Sequence, residues 1–521
     1  MRARTKTGHP DGGLDPDAAD AGPDGMTRDA GPRDAGPRDA SEADASTAQP
    51  LPPGVRPYSG ELTGDTLGRL ARRPTFHWPA SAGATRYELD VDDTCVTPGF
   101  AECAFESPEI HETALAAPIY TPATALPAND EPPVGRRYYW RHRACTESSC
   151  DAWSPVIYVD VDRRFNDYNG DGYADLLLDA GSEIVDAEGV RRGHFRTYLG
   201  GPDFDGLPDE NITLDIGKDG DYYHMFRGNY DIGDFDADGF ADFAVIDRPS
   251  PTWDPAEIAH VLYGGASWTR RTTTMVGSPR NQGSWFEGLV EGNVDLNADG
   301  YADLVREFST VGACIFAGWW SYGGHRCAMT PAGDINGDGF ADLVASDNVD
   351  LTVTPLFGPI SGEDNVSLIA GGPTSDGTTA RSLFGVVPGW RHGAIRGGSD
   401  LNGDQFMDLA FELENGAVEV RLGGSAFYGD VALGLPDQSL AGFGDFNGDG
   451  FPDLLTCSSG GGGNLYFGGA SLRETPDLVL PVCSSFVGDL NRDGYTDIYG
   501  GERQVFFGAA EPDALPDVTL E

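Results

Sequence analysis

Asp167–Asp175 reads DYNGDGYAD, and the same nine-residue pattern returns as DFDADGFAD from Asp234, DLNADGYAD from Asp295, DINGDGFAD from Asp334, DLNGDQFMD from Asp400, DFNGDGFPD from Asp445 and DLNRDGYTD from Asp489. Recurrence of one local pattern along a chain is the signature of a repeat architecture. Each copy places Asp or Asn oxygens at positions 1, 3, 5 and 9. A hard cation such as Ca²⁺ needs such a set, because it takes roughly six to eight oxygen ligands. A backbone carbonyl at position 7 would add to them. Gly at position 6 permits the left-handed turn that folds the loop back on itself.

The expected ligands are therefore Asp167, Asn169, Asp171, Tyr173 and Asp175 in the first loop, and Asp234, Asp236, Asp238, Phe240 and Asp242 in the second. They continue with Asp295, Asn297, Asp299, Tyr301 and Asp303, then Asp334, Asn336, Asp338, Phe340 and Asp342. The fifth loop offers Asp400, Asn402, Asp404, Phe406 and Asp408, but has Gln405 where the others have Gly. Its site is expected to be the weakest, since a side chain at positive φ costs on the order of 1 kcal/mol. Asp445, Asn447, Asp449, Phe451 and Asp453, and finally Asp489, Asn491, Asp493, Tyr495 and Asp497, complete the set.

An EF-hand would carry Glu at position 12 and continue into a helix. Here position 12 holds Leu178, Val245, Arg306, Ala345, Phe411, Thr456 and Gly500, and position 9 leads into apolar runs such as DLLL, DFAVI and DLVAS. Such runs read as buried strands. Each repeat also ends a later strand on an aromatic-Gly pattern: TYLGGP, VLYGGA, PLFGPI, VRLGGS, LYFGGA and VFFGAA, with a less regular SYGG at Ser321. The position-7 ring is expected to drop between sheets. The interval from Asp295 to Asp334 is the shortest, leaving the third repeat little room for four strands.

Loop, apolar strand and aromatic-Gly strand end together resemble the FG-GAP repeats of integrin-type propellers and the related VCBS repeats of bacterial surface proteins. The resemblance covers 163–521 and implies an all-β, seven-bladed propeller with up to seven structural calcium ions held by the residues named above. It also implies that each ion clamps the turn between two strands of a blade. How the ring closes is not legible, because the repeat phase starts and finishes near a blade boundary.

Ahead of the repeats, residues 56–162 carry alternating strands (PTFHWP, ATRYELDV, RRYYWRHRAC, AWSPVIYVDV). They resemble a fibronectin type III or Ig-like β-sandwich, in which Trp78, Tyr87 and Trp140 would pack the core. Residues 1–55 are an Asp/Ala/Gly/Pro tract, DAGPRDAGPRDA among them, too poor in large apolar side chains to fold. They read as a disordered tether, similar to the stalks of bacterial surface lipoproteins.

The formal charge of −48, from 83 acidic and 35 basic residues, excludes nucleic acid and anionic membrane as partners. Eight Cys fall into local couples, Cys95 with Cys103, Cys145 with Cys150, Cys314 with Cys327 and Cys457 with Cys483. This even count suits disulfides in an oxidising compartment. The expected location is extracellular or at a cell surface. Because the N-terminus lacks a signal-peptide core, the expectation is that a signal or lipid-anchor segment lies upstream.

No catalytic motif accompanies His194, His224, His260, His325 or His392, and the Gly460–Gly463 run reads as a hairpin turn, not a phosphate loop. Binding or adhesion by a monomer, with a glycan or protein ligand, is the expected function. A polysaccharide lyase using His224, His325 or Tyr322, or a purely architectural surface protein, are the alternatives. The cluster Trp319, Trp320, Tyr322 and His325 is the best candidate carbohydrate platform.

Overall fold

A computed structural model describes residues 61–66, 71–95, 103–184, 190–218, 230–247, 258–266, 272–276, 290–296, 299–306, 315–316, 319–320, 329–335, 339–347, 365–369, 371, 380–382, 390–404, 406–413, 415–423 and 431–521. Among these residues the chain is almost wholly β, with one helical turn at Thr63–Thr66 and a 3-10 turn at Gly501–Arg503. The expected tether, 1–55, lies outside them.

The N-terminal part has two sheets. One has five strands in the order Glu61–Leu62, Ile157–Val161, Arg136–Cys145, Arg86–Asp92 and Ile110–Leu115, and the other pairs Phe76–His77 with Ile119–Tyr120. Alternation sorts the side chains, as a period of two requires. Phe76, Trp78, Tyr87, Leu89, Val91, Tyr138, Trp140, Val159 and Val161 form one buried core. Trp78 is 2% and Trp140 1% exposed, and Phe76 meets Trp140 edge-on at 5.5 Å between ring centroids. These rings are core, as their alternation suggested.

On the other face, residues directly opposite one another carry opposite charge: Glu88 faces Arg143, Asp90 faces Arg141 and Asp160 faces Arg137. Arg141 Nη2 lies 2.8 Å from Asp90 Oδ2, and Arg137 Nη2 lies 2.7 Å from Asp160 Oδ2. Opposed charges of this kind fix strand register.

The remainder is a succession of antiparallel sheets. Six have four strands in simple sequence order, the first running from Tyr230–Gly233 to Thr272–Val276 and the last from Ser484–Gly488 to Val518–Thr519. The second to seventh acidic loops are each the turn between the first and second strands of such a sheet, whereas the first loop precedes Leu176–Ile184 and follows the N-terminal strand Ile157–Val161. The third repeat does fit four strands into its short interval, its last two being Ile315–Phe316 and Trp319–Trp320. The first repeat has three described strands, Leu176–Ile184, Val190–Tyr198 and Glu210–Lys218.

Disulfides join Cys95 to Cys103, Cys145 to Cys150 and Cys457 to Cys483, as the local couples suggested. Cys314 and Cys327 lie outside the described residues. The Gly460–Gly463 run is the hairpin turn expected, closed by Ser458 N–H to Gly462 O at 2.8 Å.

Candidate metal loops and the face that covers them

The loops share one internal wiring. The position-1 carboxylate accepts two backbone N–H groups from positions 5 and 6, as in Asp167 with Asp171 (3.0 Å) and Gly172 (2.8 Å), and Asp489 with Asp493 (3.1 Å) and Gly494 (2.9 Å). The position-5 carboxylate accepts the N–H of position 7, as Asp449 does from Phe451 at 2.9 Å. Position 9 ties the loop to its own repeat. Asp497 Oδ2 accepts Leu490 N–H at 2.8 Å while its Oδ1 accepts Gly508 N–H at 2.9 Å. Asp175, Asp242, Asp342, Asp408 and Asp453 make the same pair of bonds, to position 2 and to a strand-end Gly.

Those bonds explain the strand-end glycines. A Cβ on Gly468 would stand 2.3 Å from Pro452 O, and one on Gly264 2.4 Å from Ala241 O, so no side chain fits against the loop's position-8 carbonyl. In the fourth repeat this role belongs to Gly371, which donates to Asp342 Oδ1 at 2.9 Å. The strand end expected from sequence, PLFGPI at 355–360, lies outside the described residues.

Neighbouring loops are also bonded to each other. The position-8 N–H donates to the position-1 carbonyl of the preceding loop: Ala241 to Asp167 (3.0 Å), Ala302 to Asp234 (3.0 Å) and Thr496 to Asp445 (2.8 Å). Ala174 donates to Asp489 O at 3.1 Å in the same way, so the first loop stands to the seventh as any loop stands to its predecessor. Gly201 N–H to Leu490 O, 2.8 Å, repeats the relation of Gly265 to Tyr168 O. Ala174, Leu176, Tyr198, Val487, Leu490, Val505 and Leu520 share one buried cluster across this junction.

Position 4 is a feature that sequence reading missed. It takes positive φ at Gly170, Gly403 and Gly448, and also at Ala237 and Arg492. A Cβ at Gly170 would come within 2.4 Å of the Phe240 ring, and one at Gly448 within 2.2 Å of the Tyr495 ring. The position-7 ring thus lies over position 4 of the preceding loop, and at the junction of last and first repeats Arg492 lies over Tyr173, 5.9 Å from its centroid. Of the position-7 rings, Phe340 and Tyr495 are buried, Tyr173, Phe240, Phe406 and Phe451 are partly buried, and Tyr301, which follows a loop whose position 4 is Ala237, is 37% exposed.

The N-terminal sheets sit on these loops. Arg164 Nη1 lies 3.0 Å from Asp489 Oδ2, with side chains 3% and 4% exposed. Arg163 reaches Asp234 at 3.4 Å, Tyr158 OH donates to Asp295 Oδ2 at 2.9 Å, and Arg137 Nη1 donates to Gly300 O at 2.6 Å. Val134 N–H donates to Gly170 O at 2.8 Å, and Phe340 packs with buried Tyr158. One cavity is lined by Arg137, Tyr158, Arg163, Arg164 and the position-1 acids Asp167, Asp234 and Asp295.

Burial dominates the acid–base behaviour of the loop carboxyls. It pushes Asp167 up to about 7, Asp234, Asp295 and Asp445 to about 6, and Asp242 and Asp408 to about 8. It raises Asp175, Asp453 and Asp497 well above the ordinary carboxylate range, neighbouring loop acids adding to the effect. Carboxylates resist ionisation where water is excluded and like charges gather, and a bound cation reverses both terms.

The donor set fits a hard divalent cation. In the second loop, carboxylate oxygens of Asp234, Asp236 and Asp242 lie within 4.8 Å of one another. In this loop it is positions 1, 3 and 9 that come together, although position 9 spends both oxygens on backbone N–H groups. Asn297, Asn336, Asp338 and Gln405 lie outside the described residues, as do His224, Tyr322 and His325. His194 sits on Val190–Tyr198 with its Nδ1 3.5 Å from Thr213 Oγ1, far in sequence from any loop acid.

No family model and no curated protein matches the chain. Among solved structures, similarity is found to "BBS1N in complex with ARL6DN, soaked with lead", at 13% identity and a TM-score of 0.32, covering 62% of this chain and 94% of that one. It is also found to Sqt1 of Saccharomyces cerevisiae, at 9% identity and a TM-score of 0.33, covering 71% and 90%. What the chain does has to be argued from its own residues.

Proposed function

We propose that this chain is a calcium-stabilised, seven-bladed β-propeller of the FG-GAP/VCBS kind, capped by a sandwich of fibronectin type III type, that binds a glycan or protein ligand outside the reducing cytosol. The observation that carries the metal part is the convergence of the Asp234, Asp236 and Asp242 oxygens within 4.8 Å, in a wiring shared by the other loops. Seven loops and the bond from Ala174 to Asp489 support a closed ring. The three disulfides support an oxidising location.

Binding is favoured over turnover because the recurring residues all have metal, turn or packing roles, whereas the strands and connections between them vary. Fold alone does not decide function. The test is an array of glycans and surface proteins probed with the intact chain in calcium and in chelator, with unsaturated sugar products followed by absorbance. Saturable, calcium-dependent retention without product supports the reading. Product formation lost on His→Ala substitution replaces it with a lyase.

A further inference from the structure

Outside the repeats, the end of strand Arg86–Asp92 carries a second set of acids. Val91 pairs with Ile110, which brings Asp92 and Asp93 beside Glu109 at the start of the adjacent strand. Carboxylate oxygens of Asp92, Asp93 and Glu109 all lie within 4.8 Å of one another. Asp92 is 0% exposed. Its Oδ1 accepts the Thr94 N–H at 2.8 Å and the Thr94 hydroxyl at 2.5 Å, while its buried Oδ2 has no hydrogen-bond partner. Asp93 Oδ2 takes Arg136 Nη1 at 2.5 Å, and Glu109 Oε2 takes the Asp93 N–H at 3.0 Å.

The charge does not balance. Three carboxylates face one guanidinium, an excess of two negative charges, and a buried carboxylate oxygen without a donor is unfavourable in any folded protein. A proton shared among the three would relieve one charge and leave the other.

We propose that Asp92, Asp93 and Glu109 bind a hard divalent cation of the calcium class, at a site in the sandwich separate from the repeat loops. The buried Asp92 Oδ2 supplies one ligand, and Asp93 and Glu109 supply oxygens from the two neighbouring strands. Main-chain oxygens and water fill the remaining positions of a cation that takes roughly six to eight. Such an ion cross-links the two strands at the root of the Cys95–Cys103 disulfide loop.

Two measurements on the full chain test this. In crystals soaked with terbium chloride, an anomalous peak is expected between Asp92, Asp93 and Glu109. Equilibrium dialysis with radioactive calcium is expected to show one fewer bound ion in Glu109→Gln, an exposed change that keeps the fold, and in Asp92→Asn. Peaks at the repeat loops with none in the sandwich, or unchanged calcium stoichiometry in Glu109→Gln, overturn the site. A sandwich peak without loop peaks instead sinks the metal reading of the repeats and leaves this one standing.

Discussion

Arg164→Met removes one partner of a buried ion pair at the junction of sandwich and loops. Arg164 Nη1 contacts Asp489 Oδ2 at 3.0 Å and Gly64 O at 2.9 Å, with both side chains almost fully out of water. Deleting one member of such a pair leaves the other charge buried alone, at about 3–5 kcal/mol. Asp489 retains the N–H groups of Asp493 and Gly494, which places the expected loss near the lower end, about 3 kcal/mol.

Asp489 is also position 1 of the seventh loop, so a bound cation supplies the positive charge that the substitution removes. The loss measured in chelator should therefore shrink, to about 1 kcal/mol, in saturating calcium. Urea unfolding of both proteins in both buffers, followed by the fluorescence of buried Trp78 and Trp140, reads the difference. Equal losses with and without calcium, or a loss under about 1 kcal/mol in chelator, would refute the coupling of sandwich, loop and ion.

Chelated protein should lose stability as pH rises from about 5 to 9. Asp242 and Asp408 are raised to about 8 and Asp445 to about 6. A folded pKa above the unfolded one gives stability that is complete below the unfolded value and declines as pH climbs through the folded one. Calcium should flatten that decline in thermal melts, and a flat profile in chelator would contradict it. Gly448→Ala puts a Cβ 2.2 Å from the Tyr495 ring and should cost about 2–3 kcal/mol, whereas Gly461→Ala, with open space around it, should cost only its φ strain, about 1 kcal/mol, in matched denaturation curves. Gln405→Gly should tighten the weakest step of a calcium titration without adding a site; a step that stays put shows that Gln405 is not strained.

The acidic loops were legible because their chemistry is local: carboxylates at fixed offsets meet backbone N–H groups within the same nine residues. The strand-end glycines were visible as a motif, but their reason, contact with the position-8 carbonyl, needs the folded hairpin. The fourth repeat shows the limit, since PLFGPI carries the aromatic-Gly pattern while Gly371 makes the bond. Position 4 was missed because its constraint comes from the next repeat's ring, which nothing within the loop's own nine residues announces. Sandwich-to-loop pairs such as Tyr158 with Asp295 are separated by 137 residues and leave no local trace.

Those long-range pairs change what the sandwich is. As an architectural spacer it would need a pliable connection to the repeats, yet its strand Ile157–Val161 enters the first loop through residues 162–166 alone. Asp162 in that connection accepts from both Arg72, at 2.7 Å, and Arg492 of the seventh loop, at 3.0 Å. Asn166 takes φ 62° and its carbonyl accepts the N–H groups of Tyr168 and Asp175. Gly233, Gly333 and Gly488 hold the same place before their loops, also at positive φ, as the last residues of first strands. In the first repeat the connection therefore stands where a first strand would end. The basic groups on this side, Arg137, Arg163 and Arg164, line one cavity with the position-1 acids Asp167, Asp234 and Asp295, which a cation would otherwise have to neutralise alone. A loop cation would oppose the same repulsion as these arginines, so on the proposed reading loss of either should be felt most when the other is absent.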